Sequence, residues 1–305
     1  MSRILVTGSR GTLGTRLVKE LERKGHYVYG IDLAHSEIYN YERCDIRNYR
    51  KLEEVFFQNR FDFVYHLAAE FGRINGEHNY EDLWTTNLIG TRNVAELCAH
   101  FGAKLIFASS SEIYGEIQQD FLHENASLVY PLEPKNDYAL SKWANEVQLT
   151  NMIDKYGLEC EIMRFFNAYG PGERYHPYRS VVALFCYSAL KGIPYTVYEG
   201  YSRTFMHVED FIPTLSNVCE NFRSGEVINI GGADYRSVKE VSDIALAYIG
   251  KNDDYVTYMP EEKHNIVSKR PNIDRAIEQL EHNPQITIDT GVPDTIEWMI
   301  KEYGF

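Results

Sequence analysis

The sequence predicts an α/β protein, a doubly wound parallel sheet joined to a smaller mixed α/β C-terminal lobe. Short apolar runs alternate with longer helical patterns from the first residues, glycines separate the first run from the first helix, and the rhythm loosens after Asn167. Arg3–Thr7 and Tyr27–Ile31 read as buried strands, with Leu13, Leu17, Val18 and Leu21 recurring between them at helical spacing, which makes a βαβ unit. The alternation continues with a strand over Tyr39–Cys44, a helix over Tyr49–Asn59 and a strand over Phe61–Leu67. A helix over Asp82–His100, a strand over Lys104–Ser109, a helix over Tyr138–Tyr156 and a strand over Glu161–Phe165 complete the first half. Gly170-Pro171-Gly172 then breaks the chain, so one domain is expected over residues 1–170 and a second over 171–305, with later segments completing the first sheet. The second part reads as helices over Ser180–Lys191, Val208–Asn221, 237–250 and 290–303, with strands over Tyr195–Tyr198 and Val227–Ile230. These elements are too short and mixed for a second sheet as large as the first. They are expected to close over the open end of the sheet, where ligands of such folds sit.

Composition narrows the function. The chain has 305 residues, 44% of them hydrophobic, enough to bury a full core, and 31 basic against 44 acidic side chains give a net charge of −13. That charge, with no Lys/Arg run longer than a pair, repels a phosphate backbone and argues against a nucleic-acid partner. Any phosphate must be held by local donors. Cys44, Cys98, Cys160, Cys186 and Cys219 are odd in number and widely spaced, which shows neither a disulfide framework nor a metal pair and fits a reducing cytoplasm. The apolar stretch at the N-terminus is too short for a signal peptide, and Val181–Leu190 is about half of a bilayer span, so no membrane segment is expected. The histidines form no HExxH or close pair, and no metal site is expected.

Thr7-Gly8-Ser9-Arg10-Gly11-Thr12-Leu13-Gly14 follows the first strand and opens the first helix. Gly8 permits the tight turn, Gly11 lets the backbone approach a pyrophosphate, and Gly14 allows close helix packing, while the helix start offers N–H donors to negative charge. Asp32, at the end of the second strand, can accept hydrogen bonds from a ribose 2′-OH and would repel a 2′-phosphate, which favours NAD over NADP. Arg10, basic and in the same loop, is the one feature that would tolerate the extra phosphate.

Gly8, Gly11 and Gly14 have the spacing of the short-chain dehydrogenase/reductases, and the chain resembles the extended branch of that superfamily, the nucleotide-sugar epimerases and dehydratases. The resemblance runs from residue 4 to about 300. It implies a Rossmann domain that binds NAD through the glycine loop (Gly8, Arg10, Gly11, Thr12, Leu13, Gly14) and Asp32. Asp45 and Ile46 in Cys44-Asp45-Ile46 resemble the branch's adenine contact, and Leu67, Ala68 and Ala69 after His66 resemble the segment bordering the cofactor. Asn87 matches a characteristic helix position, and Ser109 falls at the cofactor's edge. The helices at 82–100 and 138–156 would, by resemblance, build a homodimer.

Tyr138 and Lys142 stand at i and i+4, on one helical face. A tyrosine is a poor base near neutrality, but an adjacent ammonium and an oxidised nicotinamide both favour its phenolate. In Phe107-Ala108-Ser109-Ser110-Ser111-Glu112-Ile113-Tyr114-Gly115, Ser110 matches the family's hydroxyl that holds the sugar hydroxyl being oxidised, and Ser111 lies beside it. The implied step passes a proton to Tyr138 and a hydride from sugar C4 to NAD, with Lys142 positioning the cofactor. Glu112 departs from the commonest epimerase pattern and resembles the Thr-Ser-Glu of 4,6-dehydratases and uronate decarboxylases. A 4-keto group acidifies the C5 proton, and a nearby carboxylate can remove it; the other outcome for Glu112 is an ion pair away from the chemistry.

On the substrate side, Asn167 in Arg164-Phe165-Phe166-Asn167-Ala168-Tyr169-Gly170-Pro171, Arg203 in Arg203-Thr204-Phe205-Met206-His207-Val208-Glu209-Asp210, and Arg270 before Pro271 resemble the family's diphosphate contacts. Forked guanidinium donors match phosphate oxygens. Tyr175–Arg179 and Phe71–Glu77 match no family segment and are where substrate specificity is expected. The chemistry expected is C4 oxidation of a nucleotide sugar followed by dehydratase- or decarboxylase-type change. A 4-epimerase resembling UDP-glucose 4-epimerase and a C4 dehydrogenase are the alternatives. A non-catalytic NAD-sensing regulator should have lost one of Ser110, Tyr138 or Lys142.

Overall fold

A computed structural model of the protein describes residues 1–117, 119–262 and 265–305. Along the chain, β1 (Arg3–Thr7) leads into α1 (Thr12–Arg23), β2 (Tyr27–Asp32), β3 (Tyr41–Arg43), α2 (Tyr49–Asn59) and β4 (Phe63–His66). Two short helices, α3 (Arg73–His78) and α4 (Tyr80–Trp84), pass through a π-helical turn at Thr85–Gly90 into α5 (Thr91–Phe101). Then come β5 (Lys104–Ser110), a 3-10 turn (Ser111–Tyr114), α6 (Ala126–Val129), α7 (Asp137–Tyr156) and β6 (Cys160–Phe165). Beyond these the chain forms β7 (Ala168–Tyr169), α8 (Val181–Lys191), β8 (Tyr195–Tyr198), β9 (Ser202–His207), α9 (Val208–Asn217) and β10 (Val227–Ile230). It ends with β11 (Asp234–Ser237), α10 (Val238–Ile249), β12 (Val256–Met259), β13 (Ser268–Lys269), α11 (Asp274–Leu280) and α12 (Ile288–Tyr303).

Seven strands form one sheet in the order β10-β6-β5-β4-β1-β2-β3, and every neighbouring pair is parallel. The fold is therefore the doubly wound α/β architecture read from the sequence. Its order reverses at β1, so the crevice beyond the ends of β1 and β4 is the place for a ligand. Successive residues of a strand face opposite sides, and the two cores divide that way. Leu5, Val64, Leu105 and Phe107 pack with Val55, Phe56, Val94 and Leu149 from α2, α5 and α7. Ile4, Val6, Tyr65 and Ile106 pack on the other face with Leu17, Leu21, Phe211 and Leu215 from α1 and α9.

The C-terminal elements do two things. β10 joins the large sheet beside β6, with Val227 opposite Ile162. The rest builds a lobe with its own core, where Val182, Phe185, Val241, Val292 and Ile296 meet from α8, α10 and α12. A small sheet runs β11-β9-β13 with β7 added to β9, and β8 pairs with β12.

One difference from the expected elements has a cause in tertiary packing. The single helix expected over 82–100 is broken into α4, the π turn and α5. Gly90 ends that turn against Ile46, where an added Cβ would lie 2.5 Å from Ile46 Cδ1, so the turn fits only because this position has no side chain. Among the described residues no helix is long and apolar enough to cross a membrane.

Candidate active site

A cavity of about 540 Å³ opens at the C-terminal edge of the large sheet. Its floor is the turn from β1 to α1. Gly8 has a positive φ of 71°, and a Cβ there would meet Ala68 N at 2.8 Å; at Gly14 a Cβ would meet Gly8 O at 2.1 Å. Only glycine lets the strand, the turn and the neighbouring β4 end come this close. Gly11 is the N-cap of α1 and offers no side-chain cap, so the helix start keeps N–H donors for an anion. Thr12 and Leu13 line this floor, Asp32, Asp45 and Ile46 one wall, and Leu67, Ala68 and Ala69 the other. Asp32 is held by the backbone N–H groups of Arg10 (2.9 Å) and Ala34 (3.1 Å), and Asp45 by Arg47 at 2.8 Å. A glycine cradle that any Cβ would fill, an uncapped helix start and a carboxylate at the end of β2 fit a dinucleotide such as NAD.

Arg10 and Asn87 lie outside the lining. Arg10 is exposed and enters through its backbone. Asn87, from the π turn, accepts from Glu70 N (2.9 Å) and donates to Glu70 O (3.0 Å) and Ser141 Oγ (3.0 Å). It ties the loop after β4 to α7. His66 bridges Thr7 and Thr91 at 2.7 and 3.0 Å; burial pushes it down to about 3, so it is neutral and structural.

Ser110, Glu112, Tyr138 and Lys142 all line the same cavity. β5 ends at Ser110, whose Oγ accepts from Glu112 N at 3.2 Å. The Asn136 side chain caps α7 through Ala139 N, which places Tyr138 in the first helical turn. Lys142, one turn on, donates to Ala108 O at 2.7 Å, with its ammonium 5.9 Å from the Tyr138 ring centre. Burial pushes Lys142 down to about 8 against the opposing pull of Glu146. Burial pushes the Tyr138 phenol up to about 12; a Ser110 hydrogen bond lowers it and the Glu112 charge raises it. Ser109 and Ser111 also line the cavity, but Ser109 donates to the buried Glu146 carboxylate.

Glu112 lines the cavity and forms an ion pair with Lys269 of β13. Burial favours its neutral form, yet Lys269, then Arg203 and Asn136, overcome this and hold the carboxyl below the usual range. Glu112 thus makes an ion pair, but at the cavity rather than away from it.

The substrate-side residues separate. Asn167 lines the cavity with a positive φ of 33° and donates to Thr204 O at 3.0 Å. Arg203 does not line it; its guanidinium is taken up by Ser202 O, Val267 O and Asn265 Oδ1, each at 2.9 Å. Arg270 is exposed and stacks 4.3 Å over Phe121. Arg73 and Arg179 line the cavity, and motif matching picked out neither. Arg73 pairs with Glu262. Arg179 lies 4.4 Å over the Phe71 ring, with a buried Nε that has no partner among the described residues. Their only signal was position, since each falls in a segment without a family counterpart.

A family model described as the NAD dependent epimerase/dehydratase family matches residues 4–231. The chain belongs to that family. It is 29% identical to a UDP-N-acetyl-alpha-D-glucosaminuronate decarboxylase of Bacillus cytotoxicus over 97% of this chain and 97% of that protein. It is also 29% identical to a UDP-glucuronate 4-epimerase of Thermodesulfobacterium geofontis, over 98% of this chain and 96% of that protein. A Thermus thermophilus UDP-glucose 4-epimerase solved with NAD superposes with a TM-score of 0.86 at 28% identity, covering 97% of this chain and 98% of that one. The protein is an NAD-dependent enzyme of nucleotide-sugar modification, on the extended short-chain dehydrogenase/reductase fold.

Proposed function

We propose that the enzyme decarboxylates a UDP-linked uronate through a 4-keto intermediate. The observation that carries this is Glu112, an ionised carboxylate paired with Lys269 in the cavity of Ser110 and Tyr138, next to Ser111. Elimination of a C6 hydroxyl needs an acid to protonate the leaving group as well as a base, and Ser111 supplies no such acid. A 4-keto uronate is a β-keto acid and needs none. Relatives at 27–29% identity named as UDP-uronate decarboxylases support the same choice.

NAD, held by the glycine turn and Asp32, supplies a hydride acceptor and later donor, and its positive ring favours the Tyr138 phenolate. Ser110 orients the C4 hydroxyl, Tyr138 takes its proton, and Lys142 steadies the phenolate. With C4 a ketone, the C5–C6 bond breaks, CO2 leaves, and its electron pair passes into the C5–C4 enolate. C5 then takes a proton from water, and Tyr138 returns one to the C4 oxygen as the alcohol is restored. Glu112 accepts a sugar hydroxyl and holds the ring with the C5–C6 bond aligned to the carbonyl. Residues 1–170 hold the cofactor and carry Ser110, Glu112 and Tyr138 to the sugar, and 171–305 supply β10 to the large sheet and the lobe that covers the nucleotide sugar. Exposed Ile89 on the π turn and Leu140, Val147 and Tyr156 on α7 suit a homodimer, and five free, buried cysteines fit the cytoplasm.

The test is incubation with UDP-glucuronate and UDP-N-acetylglucosaminuronate in deuterated water, followed by NMR and mass spectrometry. Loss of CO2 with one deuteron at C5 is expected. Unchanged mass with inverted C4 would make the enzyme an epimerase, loss of water from a neutral hexose a dehydratase, and a free keto sugar with NADH a dehydrogenase.

A further inference from the structure

Two buried ion pairs lie near the open edge of the sheet. Arg164 and Glu146 make one, at 3.1 and 2.7 Å, and the guanidinium is completed by Tyr114 Oη and Glu124 O, each at 2.9 Å. Protein satisfies that pair on every side described. Lys269 and Glu112 make the other, and it is open on one side: Lys269 is 2% exposed, whereas Glu112 lines the cavity. Lys269 stands on a two-residue strand whose register with β9 sets it opposite Arg203. The small sheet of the lobe thus delivers an ammonium to an acid in the 3-10 turn that follows β5 of the large one.

We propose that Lys269 is a positioning residue for the reaction, its ammonium holding the Glu112 carboxylate ionised and turned toward the sugar. This rests on the site acting on a nucleotide sugar. The groups facing Glu112 are Lys269 from β13, Arg203 from β9, and Asn136 with Tyr138 from the start of α7. Arg203 cannot swing in as a substitute, because Ser202 O, Val267 O and Asn265 hold its guanidinium. Lys269 also acts at second hand on Tyr138: the Glu112 charge opposes phenolate formation, and the paired ammonium screens that charge.

The direct test needs no substrate. In protein labelled with 13C at the glutamate carboxyls, the Glu112 resonance is assigned by its loss in Glu112→Gln and titrated. Lys269→Met should raise its midpoint by about one pH unit or more, and Lys269→Arg should leave it near the native value. An unmoved midpoint in Lys269→Met overturns the proposal. If Lys269→Met does not fold, Lys269→Gln keeps a donor without the charge and gives the same reading. In turnover, Lys269→Met should move the acid limb of kcat/KM upward by the same interval, Lys269→Arg should restore it, and Lys269→Met should add nothing in a Glu112→Gln background. A shifted NMR midpoint in an enzyme whose native form turns over no nucleotide sugar would leave the pair standing and remove the functional assignment instead.

Discussion

Burial alone makes Tyr138 a poor base, since a phenol pushed up to about 12 stays protonated near neutrality. Its competence must come from charge brought close, from Lys142 one helical turn away and from the oxidised cofactor. Tyr138→Phe is therefore expected to cost about 100-fold or more in turnover, the scale of a lost general base, with NAD retention nearly unchanged. Rates and bound-nucleotide absorbance measured on one preparation check both halves. Arg179 makes a different demand: its guanidinium stacks on Phe71 at the cavity wall, its buried Nε has no partner among the described residues, and such a forked cation suits an oxyanion. Arg179→Met should raise KM for a nucleotide sugar about tenfold, as for a lost charge-assisted hydrogen bond, and leave NAD affinity alone. The spacing of Tyr138 and Lys142 was readable because an i, i+4 pair fixes its own geometry. Arg203 and Arg270 were not, because whether a guanidinium faces a ligand depends on carbonyls and rings brought from distant parts of the chain.

At the scale of elements, the turn from β1 to α1 is over-determined. A Cβ on Gly14 would lie 2.1 Å from a backbone oxygen that no rotamer can move, so Gly14→Ala must push α1 off the strand. Loss of bound NAD and destabilisation of about 2 kcal/mol, the range of overpacking a fitted contact, are expected, measured by cofactor content and urea unfolding. β1 and α2 have the bounds their sequence patterns predicted, since a buried parallel strand and a helix capped by Asn48 are local signals. β9, β11 and β13 left no such signal. β11 and β13 are short, and the pairing of all three joins residues far apart in sequence, Arg236 to Arg203 and Lys269 to Arg203. The break in the helix over 82–100 was equally hidden, because Gly90 matters only through Ile46 lying against it.

For the whole molecule, a net charge of −13 makes the protonation of any buried acid a matter of stability. Glu161, on β6 and fully buried, accepts from Arg223 N at 3.0 Å through Oε2, while its Oε1 has no partner among the described residues. Burial pushes its carboxyl up to about 7, with the Glu226 charge adding to the effect. A group whose folded pKa lies above its unfolded value stabilises the fold while protonated, fully so below the unfolded pKa, and that contribution is lost as pH rises through the folded one. Stability should therefore fall between pH 4.5 and about 7, where the folded chain keeps a proton that the unfolded chain has released. Glu161→Gln removes the ionisation and leaves the amide oxygen to accept from Arg223. The variant should match the native protein in urea unfolding at acid pH and exceed it by about 3 kcal/mol at a pH one unit above the folded midpoint. Equal stabilities at the higher pH would mean that water or a neighbour already satisfies the charged carboxylate. A gain confined to the alkaline side would mean that in this acidic chain the buried end of β6 carries its share of the charge at a cost, far from the cavity where Lys269 and Arg203 hold Glu112 in its ionised form.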